Sequence, residues 1–188
     1  MRTLTYGGAV TLDGFLAGRD GSIDWLHFSK DVQEVVTKYW KEVDTILMGR
    51  KTYAVAAAQS HAPGKTPTGE KRRTGKNPAM RTYVFSRTLK AVDGPGVELV
   101  ADDAVEFVRD LKRQPGRGIC LMGGGELANS LLAASLIDEI GVNIHPILLG
   151  SGIPAFRDPG HRVKLTLRGC RSIEGGCILA NYKVSRPE

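Results

Sequence analysis

The sequence has few cysteines and no long apolar run, and each shortage excludes a class of protein. Its three cysteines, Cys120, Cys170 and Cys177, are an odd number without a C-x-x-C pair, which argues against a disulfide framework or a zinc site. No run of 18 apolar residues exists, so no membrane span is predicted. The N-terminus enters a strand-like pattern without a cleavage site, and we expect a mature cytoplasmic protein.

Metal ligands and the common catalytic motifs are also missing. The four histidines lack metal-ligand spacing, so no metal site is predicted. The sequence has neither a Walker A loop nor a G-x-G-x-x-G fingerprint, and phosphoryl transfer therefore lacks its main element. Gly150-Ser151-Gly152 is not the G-x-S-x-G elbow of a serine hydrolase.

Positive charge is concentrated in one segment. The net charge is +6, and six cations lie between positions 59 and 81 against Glu70 alone: Lys65, Lys71, Arg72, Arg73, Lys76 and Arg81. Glycine and proline recur among them, which predicts a long mobile loop at about residues 59–80 within a single domain spanning residues 1–188. Binding of a polyanion or nucleic acid through residues 65–81 is one hypothesis, although the loop lacks aromatic residues for base stacking.

The order of apolar segments predicts an α/β fold. Strands are expected at residues 4–12, 45–48, 81–86, 97–100 and 119–122, with helices at 30–42, 51–58, 126–134 and after a cap at Asp102 or Asp103. Residues 15–25 are expected to be a loop. A strand at 139–149, which Pro146 bends or ends, is expected next, and a hairpin of strands 163–173 and 177–184 follows. We therefore expect a mostly parallel central sheet flanked by helices, with an antiparallel C-terminal hairpin.

Two glycine-rich turns join a strand to a helix, at Leu47-Met48-Gly49-Arg50-Lys51-Thr52-Tyr53 and at Met122-Gly123-Gly124-Gly125-Glu126. In a parallel sheet both lie at the carboxyl edge, where ligands of open α/β sheets bind. Helix N-termini and their N–H groups attract anions there. Arg50 and Lys51 add full charge and Thr52 adds a hydroxyl, so a diphosphate ligand is predicted. For the second turn, tight helix–strand packing is the alternative.

Other residues suggest the rest of a binding site. Ser86-Arg87 ends a strand and could hold a phosphate monoester such as the 2′-phosphate of NADPH; the alternative is a solvated charge. The loop at residues 13–25 carries glycines and aromatic rings and could close over a flat ring, or it could pack on the core as a connector. Three carboxylates are candidate acids: Asp24, Asp31 and Glu34. Asp31 also suits the first turn of a helix without any catalytic role.

Several motifs in this order resemble the dihydrofolate reductase-like family, and most closely the reductase domain of the riboflavin-pathway deaminase-reductases, as a stand-alone member. The resemblance covers nearly the whole chain. It is carried by residues 10–17, Leu47-Met48-Gly49-Arg50-Lys51-Thr52, Val84-Phe85-Ser86-Arg87, Met122-Gly123-Gly124-Gly125-Glu126-Leu127, Leu136-Ile137-Asp138-Glu139 and residues 146–152. The H-x-E and P-C-x-x-C zinc motifs of the deaminase half are absent.

The resemblance implies an NADPH-dependent reductase that acts on a pterin-like or ribosylamino-pyrimidine-like substrate. The cofactor would be bound by Ala9, Gly49, Arg50, Lys51, Thr52, Ser86, Arg87, Gly123, Gly124, Gly125, Glu126 and Leu127. Asp13, Trp25 and Asp31 would face the substrate, and Asp31 and Glu126 would be catalytic, with Glu34 as an alternative to Asp31. The resemblance also implies a homodimer. A fold that binds the cofactor without turnover is a further alternative.

Overall fold

The computed structural model describes residues 1–61, 80–123 and 125–185, without the side chains of residues 59–61. Most of the predicted basic loop, and Gly124, therefore lie outside the described residues. Of the six cations assigned to polyanion binding, only Arg81 is described, as an exposed residue. None of the helices in the described ranges combines the length and the apolar composition that crossing a bilayer requires.

Ten strands and four helices form the described chain. The strands are β1 (Leu4–Thr11), β2 (Phe15–Ala17), β3 (Val43–Gly49), β4 (Arg81–Phe85), β5 (Val97–Val100), β6 (Gly118–Met122), β7 (Glu139–His145), β8 (Ile153–Pro154), β9 (Leu165–Ile173) and β10 (Cys177–Val184). The helices are α1 (Lys30–Glu42), α2 (Arg50–His61), α3 (Ala104–Arg113) and α4 (Gly125–Ala133).

Eight strands form the central sheet in the order β5-β4-β3-β6-β1-β7-β10-β9. The first six are parallel to one another, and β10 is antiparallel to both β7 and β9. This confirms the predicted mostly parallel sheet with an antiparallel C-terminal hairpin. The turn of that hairpin contains Gly175 and Gly176 at φ of 81° and 73°, a conformation that glycine adopts without steric cost.

One expectation about strands was wrong, and one alternative was decided. The segment expected to be a loop contains β2, which pairs with β8 in a separate two-stranded sheet. Strands of three and two residues are too short to show an alternating pattern, and their partners are far apart in sequence. The strand expected from residue 139 ends at His145, directly before the proline that was expected to bend or end it, because Pro146 has no N–H group to donate to a neighbouring strand.

Helices cover both faces of the sheet. Helix α1 begins after Ser29, whose hydroxyl oxygen accepts a hydrogen bond from the N–H of Val32. Helix α3 is capped by Asp103 rather than Asp102. Val32 and Val36 of α1 pack against Ile173, Cys177 and Leu179 of the C-terminal strands. The main core lies on the other face, under α3 and α4, and includes Leu4, Leu47, Leu121, Val108 and Leu131.

The cysteines occupy separate places in this architecture. Cys120 is buried within β6, as its apolar neighbours suggest. Cys170 lies opposite Ala180 and is exposed, whereas Cys177 lies opposite Ile173 and is buried. Cys170 and Cys177 therefore do not face each other across the hairpin.

An ion pair between buried Lys112 and half-buried Asp138 anchors the amino edge of the sheet. The ammonium group of Lys112, on α3, contacts the carboxylate of Asp138 and donates a hydrogen bond to the carbonyl oxygen of Leu136. The same carboxylate accepts a hydrogen bond of 2.8 Å from the N–H of Leu4, the first residue of β1. These bonds join α3, the central strand β1 and the segment that leads into β7.

Candidate active site

The two glycine turns lie side by side at the carboxyl edge of the sheet. Strands β3 and β6 are neighbours, and Met48 lies opposite Met122, so Gly49 and Gly123 end adjacent strands about 4.8 Å apart. Gly123 has a φ of 55°, and a Cβ atom built on it would lie 2.6 Å from the hydroxyl oxygen of Thr52. The turns are therefore in contact, and one ligand can touch both.

Helices α2 and α4 begin at these turns. Their first N–H groups have no partner within the helix, and they carry the positive end of each helix dipole. Arg50 and Lys51 are exposed in the first turn of α2, and Thr52 is half-buried. This arrangement collects hydrogen-bond donors and two full positive charges at one point, which suits a diphosphate group.

Gly125 is a glycine for a different reason. A Cβ atom on it would lie 2.9 Å from the carbonyl oxygen of Pro154, so α4 can approach β8 only without a side chain there. At Gly125 the structure therefore supports tight helix–strand packing, which was the alternative to ligand binding for the second turn. By contrast, no described atom lies within 4 Å of a Cβ built on Gly49, and the first turn is open.

Ser86 and Arg87 line a small pocket beside the first turn. Phe85, at the end of β4, lies opposite Gly49. The pocket has a volume of about 190 Å³ and is lined by Phe85, Ser86, Arg87, Val100, Ala101, Asp102 and Ala104. The hydroxyl oxygen of Ser86 accepts hydrogen bonds from the N–H groups of Thr88 and Leu89, which fixes the loop. Arg87 is exposed, and Asp102 adds an opposing charge to the same pocket.

Strand β1 extends past the end of β6 on the other side of the turns. Pairing with β6 stops at Gly7, opposite Met122, while pairing with β7 continues to Thr11. Gly8 and Ala9 therefore lie beyond the second turn. Gly8 is exposed, and a Cβ on it would meet no described atom within 4 Å. The backbone here offers an almost flat surface to a ring.

The carboxylates of Asp13 and Asp31 tie elements of the fold together. Asp13 accepts a hydrogen bond of 2.6 Å from the Thr11 hydroxyl and one of 2.7 Å from the N–H of Gly150. These hydrogen bonds, with that of Thr11 the largest contribution, lower the pKa of Asp13. Asp31 accepts a hydrogen bond of 3.2 Å from the N–H of Glu174, so it links α1 to the β9–β10 turn. Their predicted roles toward a substrate stay predictions.

Glu126 and Leu127 lie in the first turn of α4. Glu126 is exposed, and its carboxylate lies 3.5 Å from the guanidinium of Arg157. Leu127 is partly buried against the main core. Glu126 thus lies one turn of helix from Gly123 with its carboxylate near Arg157, whereas Leu127 packs against the core, and the predicted roles of both residues stay predictions.

A buried polar cluster was not found from the sequence. His145 is 2% exposed, and its Nε2 atom accepts a hydrogen bond of 3.1 Å from the side-chain nitrogen of Asn143. Its Nδ1 atom lies 3.4 Å from the sulfur of Cys177, and its ring lies edge-on to that of Trp25 at 5.1 Å. We call Trp25, Asn143, His145 and Cys177 the His145 cluster. The alternation of Asn143 and His145 with apolar residues of β7 was the available signal, but it does not reveal the partners on β10 and the loop.

Burial controls the chemistry of this cluster. Desolvation, with a smaller contribution from the charge of His27, lowers the pKa of His145, so the imidazole is neutral at neutral pH. Two buried polar atoms, Oδ1 of Asn143 and Nε1 of Trp25, have no hydrogen-bond partner among the described residues. Each such atom costs about 1–3 kcal/mol. The cluster therefore contains one donor and one acceptor that make no hydrogen bond to the described residues.

Known proteins with a similar sequence or fold support a reductase-like architecture. The chain is 34% identical over 174 residues to the uncharacterized protein YyaP of Bacillus subtilis (strain 168), covering 93% of this chain and 90% of that protein. A Shewanella sp. PV-4 protein provisionally assigned to riboflavin biosynthesis superposes with a TM-score of 0.79 at 24% identity, covering 98% of this chain and 99% of that one.

A larger structure contains the same fold as one part. The diaminohydroxyphosphoribosylaminopyrimidine deaminase/5-amino-6-(5-phosphoribosylamino)uracil reductase of Thermotoga maritima matches with a TM-score of 0.69 at 20% identity, covering 98% of this chain and 57% of that one. The predicted dihydrofolate reductase-like architecture is thus confirmed. The profile of the RibD C-terminal domain matches residues 2–179, and the chain belongs to the RibD C-terminal domain family.

Proposed function

We propose that this protein is an NADPH-dependent reductase that transfers hydride to a small heterocyclic substrate, pterin-like or ribosylamino-pyrimidine-like. The contact between the turns at Gly49 and Gly123 carries the proposal, because it makes a shared cradle for a diphosphate. Membership of the RibD C-terminal domain family also supports the proposal. The name of the similar Thermotoga maritima structure includes a 5-amino-6-(5-phosphoribosylamino)uracil reductase.

Different residues along the carboxyl edge of the sheet bind different parts of NADPH. Arg50, Lys51 and Thr52 hold the diphosphate, with the N–H groups of α2 and α4 around it. Ser86 and Arg87 hold the 2′-phosphate in the neighbouring pocket. Gly8 and Ala9 form a flat floor for the nicotinamide. NADPH supplies the hydride when bound. The protein contributes orientation and exclusion of water.

Proton supply is assigned to Glu126 before Asp31. Glu126 follows Gly123 by three residues on α4, next to the proposed cradle. Asp31 is bound to the β9–β10 turn, and β9 lies three strands from β1 in the sheet, about 14 Å away. We therefore propose Glu126 as the residue that handles the proton and give Asp31 a role only at the outer end of the substrate.

Removing Arg87 tests the coenzyme assignment. Arg87→Ala is expected to weaken NADPH binding by about 10- to 100-fold, because a charged hydrogen bond to the 2′-phosphate is lost. NADH binding should change little. Titration of both coenzymes by calorimetry measures the effect, with Arg113→Ala, an exposed arginine on α3, as the control. Stronger binding of NADH by the unmodified protein, or equal losses for both coenzymes, would contradict the proposal.

We also propose that two copies associate through the C-terminal strands. Strand β9 is one of the two edges of the described central sheet, and eight of its nine residues are exposed. Leu165 and Leu167 on β9 and Ile178 on β10 are exposed apolar residues, and a bare edge strand is a template for pairing with another chain. A homodimer would cover both the edge and the apolar side chains.

A charge on this surface tests the association. Leu167 is 54% exposed. A glutamate at this position would place a charge in the interface, so Leu167→Glu should shift the protein from dimer to monomer. Val55→Glu on α2, at 44% exposed, is the matched control and should leave a dimer. Light scattering after size exclusion measures the mass. A monomeric unmodified protein would disprove the association.

A further inference from the structure

The β9 edge carries positive charge without a compensating acid. Between positions 159 and 173 the sequence has no carboxylate and four cations, which we call the β9 cations: Arg162, Lys164, Arg168 and Arg171. All four are exposed. Within the described ranges none of them forms an ion pair, whereas Arg109, Arg113 and Arg157 each contact a carboxylate. The β9 cations therefore lack the partners that other surface arginines have.

The strand beside β9 and the flanking turns do not supply the missing negative charge. Strand β10 contains Lys183 and no carboxylate. Asp158 lies before the segment, and its carboxylate accepts a hydrogen bond of 2.8 Å from the N–H of Gly160, which holds it in its own turn. Glu174 follows β9 in the hairpin turn. The edge between these two acids is thus uniformly basic.

The register of β9 places leucines and a cation on opposite faces of the sheet. Residues directly opposite each other on neighbouring strands share a face. Leu167 lies opposite Tyr182, which packs against the main core. Arg171 lies opposite Leu179, which packs on the other face with Val32 of α1. The edge therefore has an apolar side and a basic side.

Arg168 occupies an irregular position between these two sides. Leu167 lies opposite Tyr182 and Gly169 lies opposite Asn181, so Arg168 is skipped in the pairing. The extra residue of a β-bulge is left without a cross-strand partner. Arg168 and Arg171 are three residues apart, about 10 Å along the strand, a span that two long side chains can close around one small ion.

Pairing of two β9 strands would bring these cations together. In an antiparallel pair of identical strands related by a two-fold axis, each face of the sheet continues into the other copy. The leucines of the two copies would meet on one face, and Arg171 would face its symmetry mate's side on the other. Such a contact presents the same surface twice, so it brings four cations from each copy and no carboxylate from either. Like charges across an interface oppose association.

We propose that the contact between two copies contains a binding site for a multivalent inorganic anion of the phosphate class. The β9 cations of both copies form the site, and the guanidinium groups bind phosphate oxygens through paired hydrogen bonds. One copy holds only half of these charges. The anion therefore binds the dimer more tightly than the monomer and, by linkage, tightens the dimer by the same factor. This inference rests on the proposed association through the C-terminal strands.

Inorganic pyrophosphate tests the inference on the full chain without coenzyme. The dissociation constant of the dimer is measured by sedimentation velocity over a dilution series, once in sodium pyrophosphate and once in sodium chloride of the same ionic strength. Pyrophosphate should lower this constant by about 10- to 100-fold, the effect of one or two hydrogen bonds between charged groups. Equal ionic strength keeps general screening the same in both salts.

Neutral variants separate the anion site from a structural role of the same residues. Arg168→Gln combined with Arg171→Gln should tighten the dimer in sodium chloride, because repulsion falls, and should remove the effect of pyrophosphate. Loosening of the dimer in both salts would contradict the proposal. Arg109→Gln combined with Arg113→Gln removes the same number of charges from α3 and should behave as the unmodified chain. Lys164→Gln, outside β9, should reduce the pyrophosphate effect without changing the strand.

Failure of the anion site and failure of the association give different results. A dimer with the same dissociation constant in both salts, or a double variant of β9 that keeps the pyrophosphate effect, overturns the anion site and leaves the association standing. A chain that is monomeric in both salts overturns both, and the β9 cations then only keep the edge strand from pairing. Neither result depends on whether the protein binds NADPH.

Discussion

Gly123→Ala is expected to weaken NADPH binding by about 10- to 100-fold, because a shift of the second turn would lose hydrogen bonds to the charged diphosphate, each of which contributes about 1.5–3 kcal/mol. The new methyl group would lie 2.6 Å from the hydroxyl oxygen of Thr52, so the two turns must separate. The backbone strain of a non-glycine residue at φ of 55° adds roughly 1–2 kcal/mol. Together with overpacking of about 1–3 kcal/mol, the free energy of unfolding should fall measurably. Coenzyme titration and denaturant unfolding report the two effects.

Two further variants separate the clash from the strain. Gly160 has a φ of 78°, and a Cβ on it meets no described atom within 4 Å, so Gly160→Ala introduces strain alone and should leave NADPH binding intact. Adding Thr52→Ala to Gly123→Ala removes the closest atom and should restore part of the lost stability. Unaltered coenzyme affinity in Gly123→Ala would show that the second turn does not hold the diphosphate.

Lys112→Met is expected to lower the free energy of unfolding by about 1–3 kcal/mol, because the Asp138 carboxylate and the Leu136 carbonyl oxygen each lose a charged hydrogen-bond donor. Lys112 is 4% exposed, and its ammonium contacts both the Asp138 carboxylate and the Leu136 carbonyl. Asp138 also accepts the hydrogen bond from the N–H of Leu4, so the start of β1 should loosen. Urea unfolding followed by circular dichroism measures the change.

The neighbouring arginine provides the control. Arg113 forms an ion pair with Asp110 on the surface of α3 and is 63% exposed. Exposed pairs contribute about 0–1 kcal/mol, so Arg113→Met should leave the unfolding midpoint nearly unchanged. Similar losses of unfolding free energy in the two variants would mean that the burial of Lys112 does not determine how much its ion pair stabilises the fold.

Local patterns in the sequence were sufficient for most helices and strands. Helix α1 occupies the predicted residues because Ser29 caps it and its apolar residues recur at helical spacing. The turns at Gly49 and Gly123 were predictable for the same reason, since glycine, charge and helix start are adjacent in the chain. Their placement on one edge followed from the parallel sheet. The contact between Gly123 and Thr52, however, depends on β3 and β6 being neighbours.

The tertiary structure alone decided which polar residues are free to act. Asp31 and Asp13 carry carboxylates of the kind that act in binding sites. Their oxygens, however, accept hydrogen bonds from N–H groups of segments more than 100 residues away. Asn143 and His145 showed no motif, because their environment comes from Trp25 and Cys177 on distant parts of the chain. Sequence spacing determined where backbone turns and helix starts occur, since these depend on neighbouring residues. Burial and hydrogen-bond satisfaction depend on packing between distant segments, and the fold fixed them.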